Sequence, residues 1–470
     1  MKKILLISTN QVTTPYPVPP LGLACLYQRL KSKYRVKVVD GLEKTTSRLI
    51  DSLEAFEPDY LGISIRNVDD MVKGAAHSFM PSIIDDFIVP LRRNHQGVLI
   101  LGGSGFSIFP HQLMALSGAD YGIVGEGEEN LIRLLACMEN NQSTSALPGV
   151  VTGAAGRSEP KGGAYLPLTQ PFHAELDELL DYSPYLGRSA YPIQTKRGCV
   201  HRCIYCSYPI LEGRQYRKRN VDQVVDEIEA TLERLGPKIN FEFVDSTFND
   251  PPGHGEAICR GIIKRGLQVK LRTMGINPAN VSDQLLSLMK EAGFSQIDST
   301  PDSGSPVVLK KMGKNFSLQQ LQRSAGLIAK HQMPTMWFFI FGGPGESRQT
   351  VAETFDFIDN YIDSEDMVHI TEGLRIYPHT PLYKLALKEN IISKEESLLD
   401  PSFYLSANMG ELELEQLISR EIAKRPNCIR VGDSLPPPEL MAAAMRERAE
   451  KGLEEPMFRT LLRLKNQLGL

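Results

Sequence analysis

The chain of 470 residues lacks any apolar run approaching the ~20 residues needed to span a bilayer. Its opening, MKKILLIST, carries too short an apolar run for a signal peptide and continues as a strand-like pattern. A soluble, cytoplasmic protein without a membrane span is expected. Neither charge sign is in excess: 52 Lys and Arg against 56 Asp and Glu leave a net charge of −4. There is no global basic field to recruit nucleic acid. A disulfide framework is not expected, because the seven cysteines are an odd number in a chain of cytosolic character. Internal repeats and low-complexity tracts are absent, which leaves an ordinary globular chain of two or three domains.

Residues 1–140 alternate strand and helix patterns. Strands are expected at Lys3–Ser8, Val36–Asp40, Tyr60–Ile65, Val98–Gly102 and Tyr121–Val124, with helices at Leu21–Lys31 and Thr46–Phe56. Such alternation argues for a doubly wound α/β domain with a parallel sheet. Ligands of these sheets bind beyond the carboxyl ends of the strands. Two glycine-rich turns stand at that edge: Gly102-Gly103-Ser104-Gly105 and Gly125-Glu126-Gly127-Glu128. Both let backbone approach a ligand closely. Residues 141–190 read as a linker, with Gly, Ser and Pro clusters and no sustained period.

A second alternating region covers residues 191–385. Six strands are expected, at Tyr191–Lys196, Ile239–Asp245, Gln268–Thr273, Phe294–Thr300, Thr335–Phe341 and Met367–Ile376. Val221, Val224, Val225, Ile228, Leu232 and Leu235 mark one helix face between the first two. Six βα units fit a parallel barrel, partial or complete, whose chemistry sits at the carboxyl ends of the strands. Residues 386–470 are irregular and then mostly helical, and are expected to pack over the barrel.

Cys199, Cys203 and Cys206 follow the first barrel strand in a Cys-x3-Cys-x2-Cys pattern. Three thiolates on one loop suit three corners of a cubic iron–sulfur cluster and leave one iron open. A structural zinc site would need a fourth ligand. His201 is the candidate within the loop, in a strained position between the cysteines. Cys25, Cys137 and Cys259 fall in helical apolar patterns as packing residues. Cys428 stands in the irregular tail, either as packing or as a thiol reaching the barrel mouth. Trp337, the single tryptophan, is expected to pack.

The cysteine spacing, with Tyr205 before the last cysteine and a barrel strand before the first, resembles the radical S-adenosylmethionine (SAM) superfamily. That resemblance implies a 4Fe–4S cluster on Cys199, Cys203 and Cys206, and SAM chelating the open iron. One-electron reduction would cleave SAM to a 5′-deoxyadenosyl radical. Phe243–Phe248, with Asp245 and Ser246, resembles the segment flanking the SAM amino group. Leu309–Lys314 resembles the segment after strand four. Gly342, Gly343, Pro344 and Glu346 resemble the glycine turn beside the adenine. Arg375–Pro381 resembles the sixth-strand end of the cobalamin-associated branch; Arg375 is thereby implied in cofactor binding and Tyr377 in catalysis. A glycine is more usual at His379; an imidazole there stands near the barrel mouth, either facing substrate or as a surface histidine.

Residues 1–140 resemble the cobalamin-binding domain that precedes such barrels, through Pro19–Leu23 and the two glycine turns. The resemblance implies cofactor contacts at Gly102, Gly103, Ser104, Gly105, Gly125, Glu126 and Gly127. The Asp-x-His-x-x-Gly segment that ligates cobalt in many such domains is missing; the loop reads Asn10–Tyr16 without histidine. Ile65–Asp70 resembles a segment of the His-less branch that includes tryptophan C2-methyltransferase, and implies Arg66 beside the lower face of cobalt. The competing expectation is an Arg66 ion pair with Asp69 or Asp70. The family implies a cobalamin-dependent C-methyltransferase acting on a small-molecule or peptide-derived substrate, with a flavodoxin- or ferredoxin-type reductant as partner. It also admits a radical enzyme that does not use cobalamin, for cyclisation, rearrangement or aminocarboxypropyl transfer. A non-catalytic cobalamin or metal sensor would not need the open iron.

Overall fold

A computed structural model of the chain describes residues 1–42, 44–73, 77–153, 165, 168, 173–432 and 436–468. The first sheet has six strands: β1 (Lys3–Ser8), β2 (Arg35–Asp40), β3 (Tyr60–Ser64), β4 (Val98–Gly102), β5 (Tyr121–Ile123) and β6 (Val150–Thr152). Their order is β2-β1-β3-β4-β5-β6, and all but β6 run parallel. The order reverses between β1 and β3, which places the ligand edge at the ends of those two strands. Leu5 and Ile7 pack in one core layer while Ile4 and Leu6 pack in another, so helices cover both faces of β1.

β6 corrects the linker expectation. Val150–Thr152 pairs antiparallel with β5, and three residues are too few to show a period. Leu176, Tyr182 and Tyr185 then enter the core of the second domain. Residues 154–164, 166–167 and 169–172 of that stretch, including most of the Gly153–Pro160 cluster, lie outside the described residues.

The second domain carries β7 (Tyr191–Ile193), β8 (Asn240–Phe243), β9 (Lys270–Thr273), β10 (Ile297–Asp302), β11 (Thr335–Phe341), β12 (Met367–Glu372) and β13 (Cys428–Arg430). All neighbours are parallel. Isolated parallel bridges Leu271↔Phe294 and Ile276↔Ser299 join β9 to β10. The result is an open, seven-stranded partial barrel. The seventh strand comes from the tail, which is otherwise mostly helical, as expected. Cys428 lies on it, 2% exposed in the main core, so its thiol packs rather than reaching the mouth. Trp337 packs as expected, and its Nε1 donates to Asp366 at 3.2 Å.

Alternation along β11 is complete: Thr335, Trp337, Phe339 and Phe341 are buried, and Met336, Phe338 and Ile340 are half-buried. The first set meets the helices and the second faces the lumen. By the same parity Glu242 and Val244, Arg272 and Met274, Asp298 and Thr300, and His369 and Thr371 face the lumen.

Candidate active site

The cysteine loop is braced from two sides. Ile204 N donates to Met312 O at 3.0 Å, and Leu382 N donates to Ile204 O at 2.9 Å. Leu309–Lys314, through Met312, and Leu382, directly after Arg375–Pro381, thus act as supports for this loop. Gly313 has φ +71°, and a Cβ there would sit 2.5 Å from Arg202 O. Only glycine allows the loop to lie so close.

Cys199 is buried, and Cys203 and Cys206 are half-buried. Burial raises all three thiols, Cys206 to about 12, while the Lys314 ammonium lowers Cys203 and Cys206. Unligated they are protonated, and a metal centre must displace those protons. Lys314 is itself held 2.8 Å from Asp302. Three thiols on one short loop, beside a buried cation that offsets their negative charge, fit the three-thiolate donor set of a 4Fe–4S cluster. His201 is turned to Asp250, 2.7 Å from Nε2, with the Tyr216 hydroxyl at 3.1 Å. Its ring is engaged there and braces the loop.

Several residues implied in cofactor binding are already engaged. Asp245 accepts from Thr195 N (2.8 Å), Thr195 Oγ1 (2.5 Å) and Lys196 Nζ (3.2 Å), all buried. It locks the end of β7 and has little capacity left for an amino group. Ser246 is half-buried, and its hydroxyl lies 3.4 Å from Gly198 O, against the loop. The Tyr205 hydroxyl donates to Asp302.

Glu346 closes its own turn. It accepts from Gly342 N (3.1 Å) and Thr350 Oγ1, and its backbone N–H donates to Gly343 O. Burial raises its carboxyl to about 7 against those bonds. Gly342, Gly343 and Pro344 are buried in this turn. Arg375 spends Nε on Asp69 (2.8 Å), Nη1 on Ile376 O and Nη2 on Leu398 O. It is a buried strut between the two domains, a correction to its expected cofactor role. Tyr377 is buried beneath the Arg375 guanidinium. His379 is exposed at φ +64°, on the turn before the Pro381–Lys388 helix, and does not line the cavity. Of the two expectations for this residue, the exposed position agrees with the surface histidine; the positive φ accounts for glycine being more usual at this turn.

A cavity of about 470 Å3 opens at the β1/β3 switch point. Its depth is apolar: Ile4, Leu6, Leu23, Ile100, Leu131 and Leu135, between the sheet and the helices Leu21–Leu30 and Gly127–Glu139. Gly102, Gly103, Ser104, Gly125, Glu126, Gly127, Asn10 and Arg66 line its mouth. Gly105 lies outside it, tucked under Ile65 and Val68. No histidine lines it among the described residues. An apolar slot with a polar rim fits an amphipathic ligand such as cobalamin, bound without a protein imidazole.

Arg66 bonds Asn67 Oδ1 at 3.0 Å, and among the described residues no carboxylate pairs with it. The expected alternative pairing fails, because Asp69 holds Arg375 and Asp70 caps the turn at Val72 and His77. The barrel closes the cavity's other side with Arg197, Tyr208, Leu211, Glu212, Glu242, Val244 and Met274. Arg197 stands two residues before Cys199, and Tyr208 two after Cys206.

Sequence reasoning missed the charges that join the halves. Arg197 pairs with Glu128 at 2.6 Å and Glu126 at 3.6 Å, and Arg217 also pairs with Glu126. Burial pushes the Glu128 carboxyl up, but Arg197 more than offsets this and holds it below its usual range. It also missed Tyr16, Glu242, Arg272 and Asp298. For Glu242, Arg272 and Asp298 the signal was a charged residue at the lumen parity of a strand; Tyr16, on the loop after β1, carried none.

The comparisons with known proteins agree with this arrangement. Residues 7–135 match the B12 binding domain and residues 193–358 the radical SAM superfamily. The chain is 26% identical over 389 residues to an uncharacterised methyltransferase of Pyrococcus horikoshii, covering 80% of each. It is 25% identical over 452 residues to the tryptophan 2-C-methyltransferase of Streptomyces laurentii, covering 81% of this chain and 74% of that one. The fold matches that of the radical SAM methyltransferase TsrM from Kitasatospora setae, solved with cobalamin and a 4Fe–4S cluster. The TM-score is 0.81 at 21% identity, over 100% of both chains. The two matches stand in this order along the chain, a B12 binding domain ahead of a radical SAM domain that spans most of the barrel.

Proposed function

We propose that the protein is a cobalamin-dependent radical SAM methyltransferase that methylates carbon in a small-molecule substrate. The observation that carries this reading is the shared cavity. Its rim is built from the switch-point loops on one side and from residues flanking the three cysteines on the other. Bound cobalamin supplies a methyl carrier, and the cluster with SAM supplies reductive cleavage. Cys199, Cys203 and Cys206 would hold the cluster. The apolar slot and its polar rim would hold cobalamin. Arg66 is the cation we assign to contact with the bound cofactor. A flavodoxin- or ferredoxin-type protein would deliver the electron.

The test is mass spectrometry of SAM products after anaerobic reconstitution with iron, sulfide and cobalamin, then addition of SAM and reductant. S-adenosylhomocysteine whose formation requires cobalamin is expected, and Cys206→Ala should abolish reductive cleavage and lower iron content. 5′-Deoxyadenosine alone, indifferent to cobalamin, would favour cyclisation or rearrangement. Methylthioadenosine as main product would favour aminocarboxypropyl transfer. Arg66→Leu should change cobalamin occupancy or its absorbance spectrum; an unchanged spectrum and turnover would remove Arg66 from the site.

A further inference from the structure

The lumen has a charged wall and an aromatic wall. On the charged side Glu242, Arg272 and Asp298 face inward from β8, β9 and β10. Arg272 Nε lies 2.7 Å from Glu242 Oε1, without the alignment of a hydrogen bond. The Tyr16 hydroxyl donates to the same Glu242 oxygen at 3.0 Å, and its ring lies 4.3 Å from the guanidinium carbon.

Arg272 is ion-paired with Glu242, and Asp298 stands near this pair without an ion pair of its own among the described residues. Asp298 Oδ1 and Arg272 Nη2 are buried without a hydrogen-bond partner. Gln296 also reaches the Asp298 carboxyl but leaves Oδ1 unpaired. Buried polar atoms are almost always satisfied, and an orphan carries the full desolvation penalty of its group. Here an orphan acceptor and an orphan donor of opposite charge stand on adjacent strands. On the aromatic side Phe338 stacks on His369, with centroids 4.8 Å apart and 13° between planes. Glu242 links this chamber to the cavity, whose wall it forms with Val244 and Met274.

We propose that the lumen binds the head group of an α-amino acid or a close derivative, its ammonium on Asp298 and its carboxylate or carbonyl oxygen on Arg272, with an apolar or aromatic body along Met336 and Phe338. This rests on the reading that the barrel is the substrate chamber of a methyltransferase. An ammonium satisfies the orphan carboxylate oxygen and balances the second negative charge, and an oxygen acceptor satisfies the orphan donor. Neither a simple anion nor a neutral hydrocarbon does both.

The experiment is calorimetric binding to the holoenzyme, loaded with cluster and cobalamin. The probes are L-tryptophan, L-phenylalanine and L-leucine, each beside its deaminated acid and its decarboxylated amine. At least one amino acid should bind about tenfold or more tightly than both of its truncated counterparts. Asp298→Asn should erase the preference over the deaminated acid, and Asp298→Glu should keep it. The double variant E242Q/R272Q, which removes the ion pair as a unit, should erase the preference over the amine. Variants are compared at wild-type iron and cobalamin content. Binding indifferent to the ammonium, an Asp298→Asn variant with its preference intact, or no binding of any amino acid would overturn the proposal. Cobalamin absorbance and SAM products are read on the same samples. If these are normal while binding fails, only the head-group assignment falls; if they are absent, the methyltransferase reading falls.

Discussion

At the residue scale, the buried charges divide into those already engaged and those left open. Asp245, Glu346 and Arg375 stand where the family pattern suggests cofactor contacts, yet each is used by neighbouring backbone or by an opposite charge. A buried group must be satisfied locally before it can serve a ligand. Glu346 makes this measurable. Its carboxyl is raised from an ordinary 4.5 to about 7, mainly by burial. A raised carboxyl contributes fully to stability below its unfolded pKa and loses that contribution as pH rises through the folded one. Between pH 4.5 and 7 the cost grows to about 3 kcal/mol. Glu346→Gln removes the titrating group. Chemical denaturation at pH 5 and pH 8 should show the wild type losing more stability than the variant across that window. Equal losses would mean that the carboxyl is already ionised at pH 5.

At the element scale, the loop bearing the cysteines has almost no secondary structure of its own. It is held by Met312 behind it and Leu382 in front of it. Met312 lies in Leu309–Lys314 and Leu382 directly follows Arg375–Pro381, two distant segments that carry the family resemblance without lining the cavity. Gly313→Ala would place a methyl group 2.5 Å from Arg202 O in a left-handed conformation. The expected cost is about 1–3 kcal/mol. The variant should retain less iron after reconstitution than the wild type, while its B12 binding domain still takes up cobalamin. Wild-type iron retention would show that the loop is held without Gly313. The tail strand belongs to this scale too. β13 covers the edge of β12, where an exposed strand would invite aggregation.

At the scale of the whole molecule, the two domains are joined by buried ion pairs. Asp69 is fully buried and Arg375 nearly so, and their 2.8 Å contact ties the loop bearing Arg66 to the end of the barrel sheet. Removing one partner of such a pair costs about 3–5 kcal/mol, because the other charge stays buried and unpaired. Asp69→Asn should therefore lower the denaturation midpoint and reduce cobalamin occupancy, with iron content retained if the barrel stays intact. Loss of iron and cobalamin together would make the pair a general stability element rather than a domain tie. The second tie, Glu126 and Glu128 with Arg197 and Arg217, links the ligand-edge glycine turn directly to the lead-in of the cysteine loop.

The sequence by itself determined the two α/β units, the strands that alternate through them, the cluster cysteines and the family. These follow from local signals: β1, β4 and β11 and the Val221–Leu235 helix carry their own period or β-branched run, and Cys199, Cys203 and Cys206 lie within eight residues. Tertiary structure alone decided what depends on distant partners. Whether Arg66 meets Asp69 or an open cavity turned on Arg375, 306 residues from Asp69. Whether Cys428 is core or site turned on β13 joining β12. Which barrel charges are satisfied and which, like Asp298, are left for a ligand turned on the packing of three strands around one lumen. A sequence pattern fixes which face a residue occupies, but the partner it meets is set by how separate elements pack against one another.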